Sequence, residues 1–143
     1  MKDNIVIYWD TSAIVSAIFK DIHSEIGLQY LTHPGVHLIS TLGVAETYAV
    51  IYRMQREGHI EEKYSFSEVV AIFEEGPWRG INSNPSRKNI KDMAKKWPLR
   101  GADLWHLATA KTLLKDLPEL KVLTFDQKLL EATIGERLDV RFY

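Results

Sequence analysis

The chain has 143 residues, which is the size of a single domain. Its 18 basic and 19 acidic residues give a net charge of −1, so bulk charge favours no class of partner. Cysteine is absent, which excludes disulfide frameworks, cysteine–zinc sites, iron–sulfur clusters and thiol nucleophiles. The apolar run at 5–9 is too short for a signal peptide or a membrane span. We therefore expect a cytoplasmic protein with no membrane partner.

Short apolar segments alternate with segments of helical periodicity along the chain. The segments predicted as strands are 5–9, 36–40, 78–82, 121–125 and 139–142. Those predicted as helices are 11–19, 24–31, 42–57, 61–75, 86–97, 102–115 and 127–134. Strands separated by helices pair in parallel and carry helices on both faces. The sequence thus predicts one α/β domain over 1–143, a three-layer α/β/α sandwich with a parallel sheet of about five strands.

Two aspartates follow predicted strands directly. Asp10 comes after the first strand, and Asp126 comes after the strand at 121–125. Ligands of open parallel sheets bind beyond the carboxyl ends of the strands, and both residues are expected at that edge. Aspartate is also a preferred residue at the start of a helix, so each one can equally be a helix cap.

Two further acids lie near the starts of predicted helices. Glu46 is the only charged residue between Ser40 and Tyr52, and its neighbours at helical spacing are small or apolar. Asp103 heads a stripe of its helix that is otherwise apolar. A favourable interaction with the helix dipole is the alternative explanation for both acids.

Together, these four acids are predicted to converge at one edge of the sheet. Two unit charges about 5 Å apart repel by roughly 3 kcal/mol at an effective dielectric near 20. Such a cluster persists only if some acids stay protonated or a cation lies among them. Oxygen ligands suit Mg²⁺ or Mn²⁺, and divalent cations held by carboxylates are typical of phosphodiester hydrolysis. We therefore expect Mg²⁺ or Mn²⁺ as the cofactor.

Four segments around these acids resemble the PIN domain family of metal-dependent ribonucleases, in the family's order and spacing. They are IVIYWDTSAIV at 5–15, STLGVAETYA at 40–49, RGADLWHLATA at 100–110 and VLTFDQKL at 122–129. The resemblance implies an acidic, metal-binding and catalytic site formed by Asp10, Glu46, Asp103 and Asp126. It also implies hydroxyl groups that assist this site, those of Thr11 or Ser12 and of Thr124. Among small bacterial and archaeal members it implies the toxin of a VapBC-type toxin–antitoxin pair, usually a homodimer.

A basic segment precedes Asp103. Lys88, Lys91 and Lys95 share one face of the helix predicted at 86–97, and Arg100 lies three residues before Asp103. These side chains are candidates for contacts with RNA phosphates. An ordinary solvated helix face is the alternative for the three lysines.

The aromatic residues near the acids are interpreted as structural. His106, one turn after Asp103, is expected to be partly buried, with contact to substrate as the alternative. Trp9 and Trp105 are expected in the core or in a dimer interface.

The main hypothesis is an endoribonuclease that hydrolyses RNA phosphodiester bonds and has a cognate antitoxin. In this hypothesis metal held by Asp10, Asp103 and Asp126 activates a water for in-line attack on phosphorus, and Glu46 holds a second metal or orients the water. A catalytically silent RNA- or protein-binding domain of the same fold is the alternative. A phosphatase of the haloacid type would need a second acid two residues after Asp10, where the chain has Ser12.

Overall fold

The computed structural model describes residues 5–19, 24–60 and 66–140. The strands within these residues are β1 (Val6–Trp9), β2 (Val36–Ser40), β3 (Trp78–Ile81) and β4 (Leu120–Leu123). The helices are α1 (Thr11–Ile18), α2 (Ser24–Leu31), α3 (Thr41–Arg56), α4 (Phe66–Glu75), α5 (Arg87–Lys96), α6 (Gly101–Leu113) and α7 (Gln127–Gly135). Across these described ranges, every helix is too short or too polar to cross a lipid bilayer.

The strands form a parallel sheet in the order β3-β2-β1-β4. The central strand β1 pairs with β2 on one side and with β4 on the other, and all four of its residues are buried. Its side chains alternate between the two faces, as a strand requires. Ile7 and Trp9 belong to one hydrophobic core, whereas Val6 and Tyr8 belong to the other.

Each core is closed by its own layer of helices. Residues of α1, α2, α3 and α4 pack with Ile7 and Trp9, while residues of α5, α6 and α7 pack with Val6 and Tyr8. A strand covered on both faces has to be apolar throughout, which explains the sequence VIYW of β1. The predicted three-layer α/β/α sandwich with a parallel sheet is confirmed.

The strand count is the main correction to the predicted fold. The sheet of the described residues has four strands, and the segment predicted as a fifth, 139–142, contributes a single parallel bridge between Val122 and Asp139. The turn that precedes it, with Arg137 at φ 59°, brings the chain to the sheet only at Leu138, whose carbonyl accepts from the Val122 amide. Residues 141 and 142 of the predicted strand lie outside the described residues.

Helix boundaries shift by small amounts where side chains cap the first turn. Ser40 accepts from the amide of Gly43, so α3 begins at Thr41 rather than at the predicted 42. Ser86 accepts from the amide of Asn89 and is itself the cap of α5 rather than part of the helix. Of the helix predicted at 61–75, residues 66–75 are helical, and 61–65 lie outside the described residues.

Candidate active site

The carboxyl ends of β1 and β4 are joined directly, which fixes the first part of the site. The amide of Asp10 donates to the carbonyl of Leu123 at 3.1 Å. Thr124 follows Leu123, and the Thr124 hydroxyl donates to Oδ2 of Asp10 at 2.7 Å. The ends of β1 and β4 therefore place Asp10 and Thr124 against each other.

Asp10 is 2% exposed and accepts three hydrogen bonds. Oδ1 accepts from the Ser12 hydroxyl at 2.7 Å and from the Ala13 amide at 3.0 Å, and Oδ2 accepts from Thr124. The Ser12 hydroxyl accepts a hydrogen bond from the backbone amide of Phe125, and the Thr124 hydroxyl accepts one from the backbone amide of Asp126. An ionised carboxylate can only accept, so each hydroxyl donates its single proton to Asp10.

These bonds favour the ionised form of a carboxylate that burial disfavours. Burial raises the pKa of Asp10 above its ordinary value, while the bonds from Thr124, Ser12 and Ala13 oppose that rise. The bond from Ala13 also makes Asp10 the N-cap of α1, so the capping role is present. A carboxylate has about four acceptor positions, and one of them, on Oδ2, receives no bond from the described residues.

Glu46 lies in the second turn of α3, and its side chain is 31% exposed. Its Oε1 accepts from the Thr11 hydroxyl at 2.7 Å and lies 2.9 Å from Nε2 of His106. The bond to His106 is the main reason why the pKa of Glu46 is lowered, against a smaller opposing effect of burial. The described residues donate nothing to Oε2. The helix dipole therefore does not account for this acid, since specific side chains hold it.

Asp103 lies in the first turn of α6, one turn before His106. Within the described residues its carboxylate accepts no hydrogen bond. Burial, followed by the negative charge of Asp126 and, more weakly, of Glu46, raises the pKa of Asp103, while His106 and Arg100 oppose the rise. Asp103 is thus close enough to two other acids for their charges to act on it.

Asp126 follows β4 and caps α7, because its Oδ1 accepts from the Leu129 amide at 2.9 Å. Its second oxygen accepts nothing from the described part of the chain. Both aspartates that follow strands are therefore caps. Capping uses one side of each carboxylate and leaves an oxygen for another partner.

The donor set fits a hard divalent cation by its chemistry. Glu46 and Asp126 each have one oxygen fixed by donors among the described residues and the other without such a donor. Asp10 retains one acceptor position on Oδ2, and Asp103 retains both oxygens. Such oxygens are the ligands that Mg²⁺ and Mn²⁺ prefer. Among the described residues, however, no three acidic or histidine side chains are already arranged close enough to ligate one ion.

The predicted basic residues divide into two groups. Arg100 precedes α6 without a side-chain cap, and its charge lowers the pKa of Asp103, so it lies within electrostatic reach of the acids. Lys88, Lys91 and Lys95 are exposed on α5, where Lys88 pairs with Asp92 at 3.1 Å.

An apolar cleft of about 590 Å³ opens beside the first turn of α6. Its lining comes from the amino ends of two helices: Thr41, Leu42, Gly101, Ala102 and Trp105. Trp105 is therefore partly exposed in this cleft rather than buried in the core. Trp9, by contrast, is fully buried in the core.

Sequence analysis missed the buried group that holds Glu46. His106 was expected to be partly buried, but it is 2% exposed, and its Nδ1 lies 2.6 Å from the hydroxyl of Tyr8. The available signal was the spacing of three from Asp103, which puts His106 on the inner side of the same helix. The pairing of His106 with Tyr8 and Glu46 has no local signal, because the three residues come from different elements.

The fold and the site define a class: a parallel three-layer α/β domain with acidic side chains at the carboxyl edge of its sheet. The sequence model of the PIN domain matches residues 7–134, and the chain belongs to the PIN domain family. No curated protein matches the sequence at a significant level.

Solved structures with the same fold share little sequence with this chain. PAE2754 from Pyrobaculum aerophilum aligns with a TM-score of 0.64 and 15% identity, over 95% of this chain and 88% of that one. VapC20 of Mycobacterium tuberculosis, described as a toxin that cleaves the sarcin–ricin loop, aligns at 0.58 and 14%, over 88% and 94%. VapBC2 from Rickettsia felis, solved with a fragment of its promoter DNA, aligns at 0.51 and 18%, over 85% and 100%.

Proposed function

We propose that this PIN domain is a metal-dependent endoribonuclease that acts on cytoplasmic RNA as the toxin of a type II toxin–antitoxin pair. The observation that carries the proposal is the state of Asp103 at the acidic edge. Its carboxylate has no donor among the described residues, and its pKa is raised by burial and by the charges of Asp126 and Glu46. A cation would relieve this crowding and suits the oxygen ligands present.

The residues at the edge have distinct roles in this proposal. Asp10, Asp103 and Asp126 hold the cation, and Glu46 holds a second cation or orients the attacking water. Ser12 and Thr124 hold Asp10 in place and favour its ionised form against the effect of burial, and Thr11 fixes Glu46. The bound cation would supply a nucleophilic water at neutral pH and stabilise negative charge on the phosphate.

The surface beside the edge supports a nucleic acid as substrate. The cleft at Trp105, beside the first turn of α6, offers an aromatic ring on which an unpaired base can stack. Arg100, within electrostatic reach of Asp103, and the exposed lysines of α5 supply positive charge for phosphates. VapC20, which has a similar fold, is described as a toxin that cleaves the sarcin–ricin loop. This description supports RNA rather than DNA as the substrate.

A partner protein is supported by apolar side chains at the surface. Ile26 and Leu28 on α2, Tyr52 on α3 and Ile72 on α4 are exposed by between 41% and 48%. Tyr52 and Ile72 lie on helices that contact each other, and large exposed apolar residues suit a protein interface. We propose that a small antitoxin binds this chain, as the name of the Rickettsia pair implies for that structure. The homodimer stays a prediction that light scattering coupled to gel filtration would test.

The test is RNA cleavage by the purified protein. We expect cleavage with Mg²⁺ or Mn²⁺ and no cleavage with EDTA, with activity returning when excess metal is added back. Cleavage that continues in EDTA would contradict the metal mechanism. A protein that binds RNA without cutting it in either metal would identify the silent binding domain instead.

Contacts between α5 and RNA predict a specific salt dependence. Changing Lys91 and Lys95 to Ala should weaken RNA binding at low salt and reduce the log–log slope of affinity against salt by at most about one unit per lost phosphate contact. Lys115→Ala, which removes an exposed charge beyond the other end of α6, is the matched control and should leave the slope unchanged. Equal slopes for all three proteins would assign the α5 lysines to plain solvation.

A further inference from the structure

A buried hydrogen-bonded chain leads from the core to the acidic edge. It begins at the Tyr8 hydroxyl, 2.6 Å from Nδ1 of His106, and continues from Nε2 of His106 to Oε1 of Glu46 at 2.9 Å. Thr11 reaches the same Oε1 at 2.7 Å. Tyr8 is fully buried and His106 is 2% exposed, so neither can contact an RNA substrate.

The proton positions along this chain follow from the partners. A carboxylate oxygen accepts, so Nε2 of His106 is the donor to Oε1 of Glu46. The Tyr8 hydroxyl lies 2.6 Å from the other ring nitrogen, Nδ1. Both ring nitrogens therefore have a partner, which fixes the orientation of the imidazole.

The hydrogen-bonded chain joins the two layers of helices that the sheet separates. Glu46 belongs to α3, which packs on one face of the sheet, whereas His106 belongs to α6, which packs on the other. The bond between them therefore crosses over the carboxyl ends of the strands, where Asp10 and Asp126 lie. A contact that only stabilised the packing on one face of the sheet would not require a hydrogen bond to a residue of the other helical layer.

The two donors on Glu46 share one oxygen. Oε1 accepts from both Thr11 and His106, while Oε2 accepts from none of the described residues. A glutamate side chain has several rotatable bonds, and fixing one oxygen from two directions removes most of that freedom. The second oxygen is then held in a defined position, ready for a ligand at the acidic edge.

We propose that His106 is a positioning residue, held by Tyr8, that fixes Glu46 so that Oε2 is presented to the cation site. This inference rests on the proposed nuclease function and adds a residue that acts through Glu46. Donors behind a metal ligand typically change metal affinity or activity by 10–100-fold when they are removed.

The test uses two amides that replace different nitrogens of the imidazole. In His106→Gln the amide nitrogen takes the place of Nε2 and can still donate to Glu46. In His106→Asn the amide takes the place of Nδ1, so the contact with Tyr8 is kept and the contact with Glu46 is lost. Both variants lose the ring, so a merely structural role would lower their melting temperatures in EDTA to a similar extent.

We expect Mn²⁺ affinity, measured by calorimetry, to fall by about 10–100-fold in His106→Asn and by less than about 3-fold in His106→Gln. The rate constant kcat should follow the same order, with a smaller change in KM. Equal Mn²⁺ affinities in the two variants would overturn the positioning role. A parent protein that binds Mn²⁺ but cuts no RNA would contradict the nuclease function alone, since the affinities would still test His106.

Thr11 provides a second test if the His106 variants do not fold. It is only partly buried, and it supplies the other donor to Oε1. Thr11→Val should lower Mn²⁺ affinity several-fold, whereas Thr11→Ser, which keeps the hydroxyl, should stay within about 2-fold of the parent. Equal affinity in Thr11→Val and the parent would show that fixing Oε1 does not matter for the cation.

Discussion

Asp103→Asn is expected to lower the rate of RNA cleavage by at least about 100-fold while leaving the protein folded. Loss of a group that only supports a ligand costs 10–100-fold, so loss of a ligand should cost no less. Asp103 is the acid to change first because none of the described residues donates to it, so the variant breaks no hydrogen bond among them. Asp10→Ala, by contrast, would remove three hydrogen bonds and a helix cap.

Asp103→Asn is expected to lower activity without lowering the stability of the metal-free protein. Because the pKa of Asp103 is raised, its charge opposes folding above its ordinary pKa, and the amide removes that charge. Asp103→Asn should therefore melt no lower than the parent in EDTA, yet gain less stability on addition of Mn²⁺.

Asp116→Asn serves as the matched control for Asp103, because it changes an exposed aspartate just beyond the other end of α6. Its cleavage rate and its response to Mn²⁺ should equal those of the parent. An Asp103→Asn protein that cuts RNA at the parental rate would exclude Asp103 from the site and refute the mechanism proposed for it.

The parts of the fold that depend on local pattern could be predicted from the sequence. The run VIYW followed by Asp10 indicated a buried strand that ends in an acid, and the structure has that strand with Asp10 at its end. The strand before Asp126 was also predicted, but β4 ends at Leu123, so Thr124 and Phe125 separate it from Asp126. Parallel pairing then follows from the alternation of strands and helices, which is why the layers were predictable.

Contacts between layers could not be predicted in the same way. The bond between Glu46 and His106 joins residues 60 apart, on helices that cover opposite faces of the sheet. Whether Glu46 and His106 meet depends on how their two helices pack on the sheet. The hydrophobic periodicity of either segment carries no information about that packing. The prediction of a fifth strand at 139–142 was wrong for a related reason. The apolar pattern of this segment does not show that, after the turn at Arg137, the described residues form a single bridge with β4.

A second buried acid, Glu136, has a structural role outside the candidate site, and its contacts could not be predicted from the sequence. Glu136 follows α7, and its side chain is 4% exposed. It accepts from Lys96 at 2.7 Å, from Lys111 at 3.1 Å and from Nε1 of Trp97 at 3.0 Å. The preceding Gly135 permits this packing, since a Cβ there would overlap the Trp97 ring. These contacts join α5, α6 and α7 into one layer.

Charge pairing at Glu136 should make a large, pH-dependent contribution to stability. Burial alone would raise its pKa, but the bonds from Lys96, Trp97 and Lys111 outweigh burial and lower the pKa from 4.5 to about 2. That difference corresponds to about 3 kcal/mol at most, and screening at Lys96, which is 57% exposed, reduces it to about 2 kcal/mol. Because the folded pKa is depressed, this stability is present above pH 4.5 and is lost as the pH falls towards 2.

Glu136→Gln should therefore unfold about 2 kcal/mol more easily than the parent at pH 7, a loss of roughly 6–10 °C in melting temperature for a domain of this size. The amide keeps the shape and can still accept from Trp97, so the loss reports the charge. Urea unfolding at several pH values between 7 and 3 should show the gap between parent and variant closing as the pH drops below 4.5. Glu131→Gln, at an exposed position of α7, should cost less than about 0.5 kcal/mol at every pH. A gap for Glu136→Gln that stays constant down to pH 3 would mean that packing around Trp97, and not the charge of Glu136, holds the three helices together.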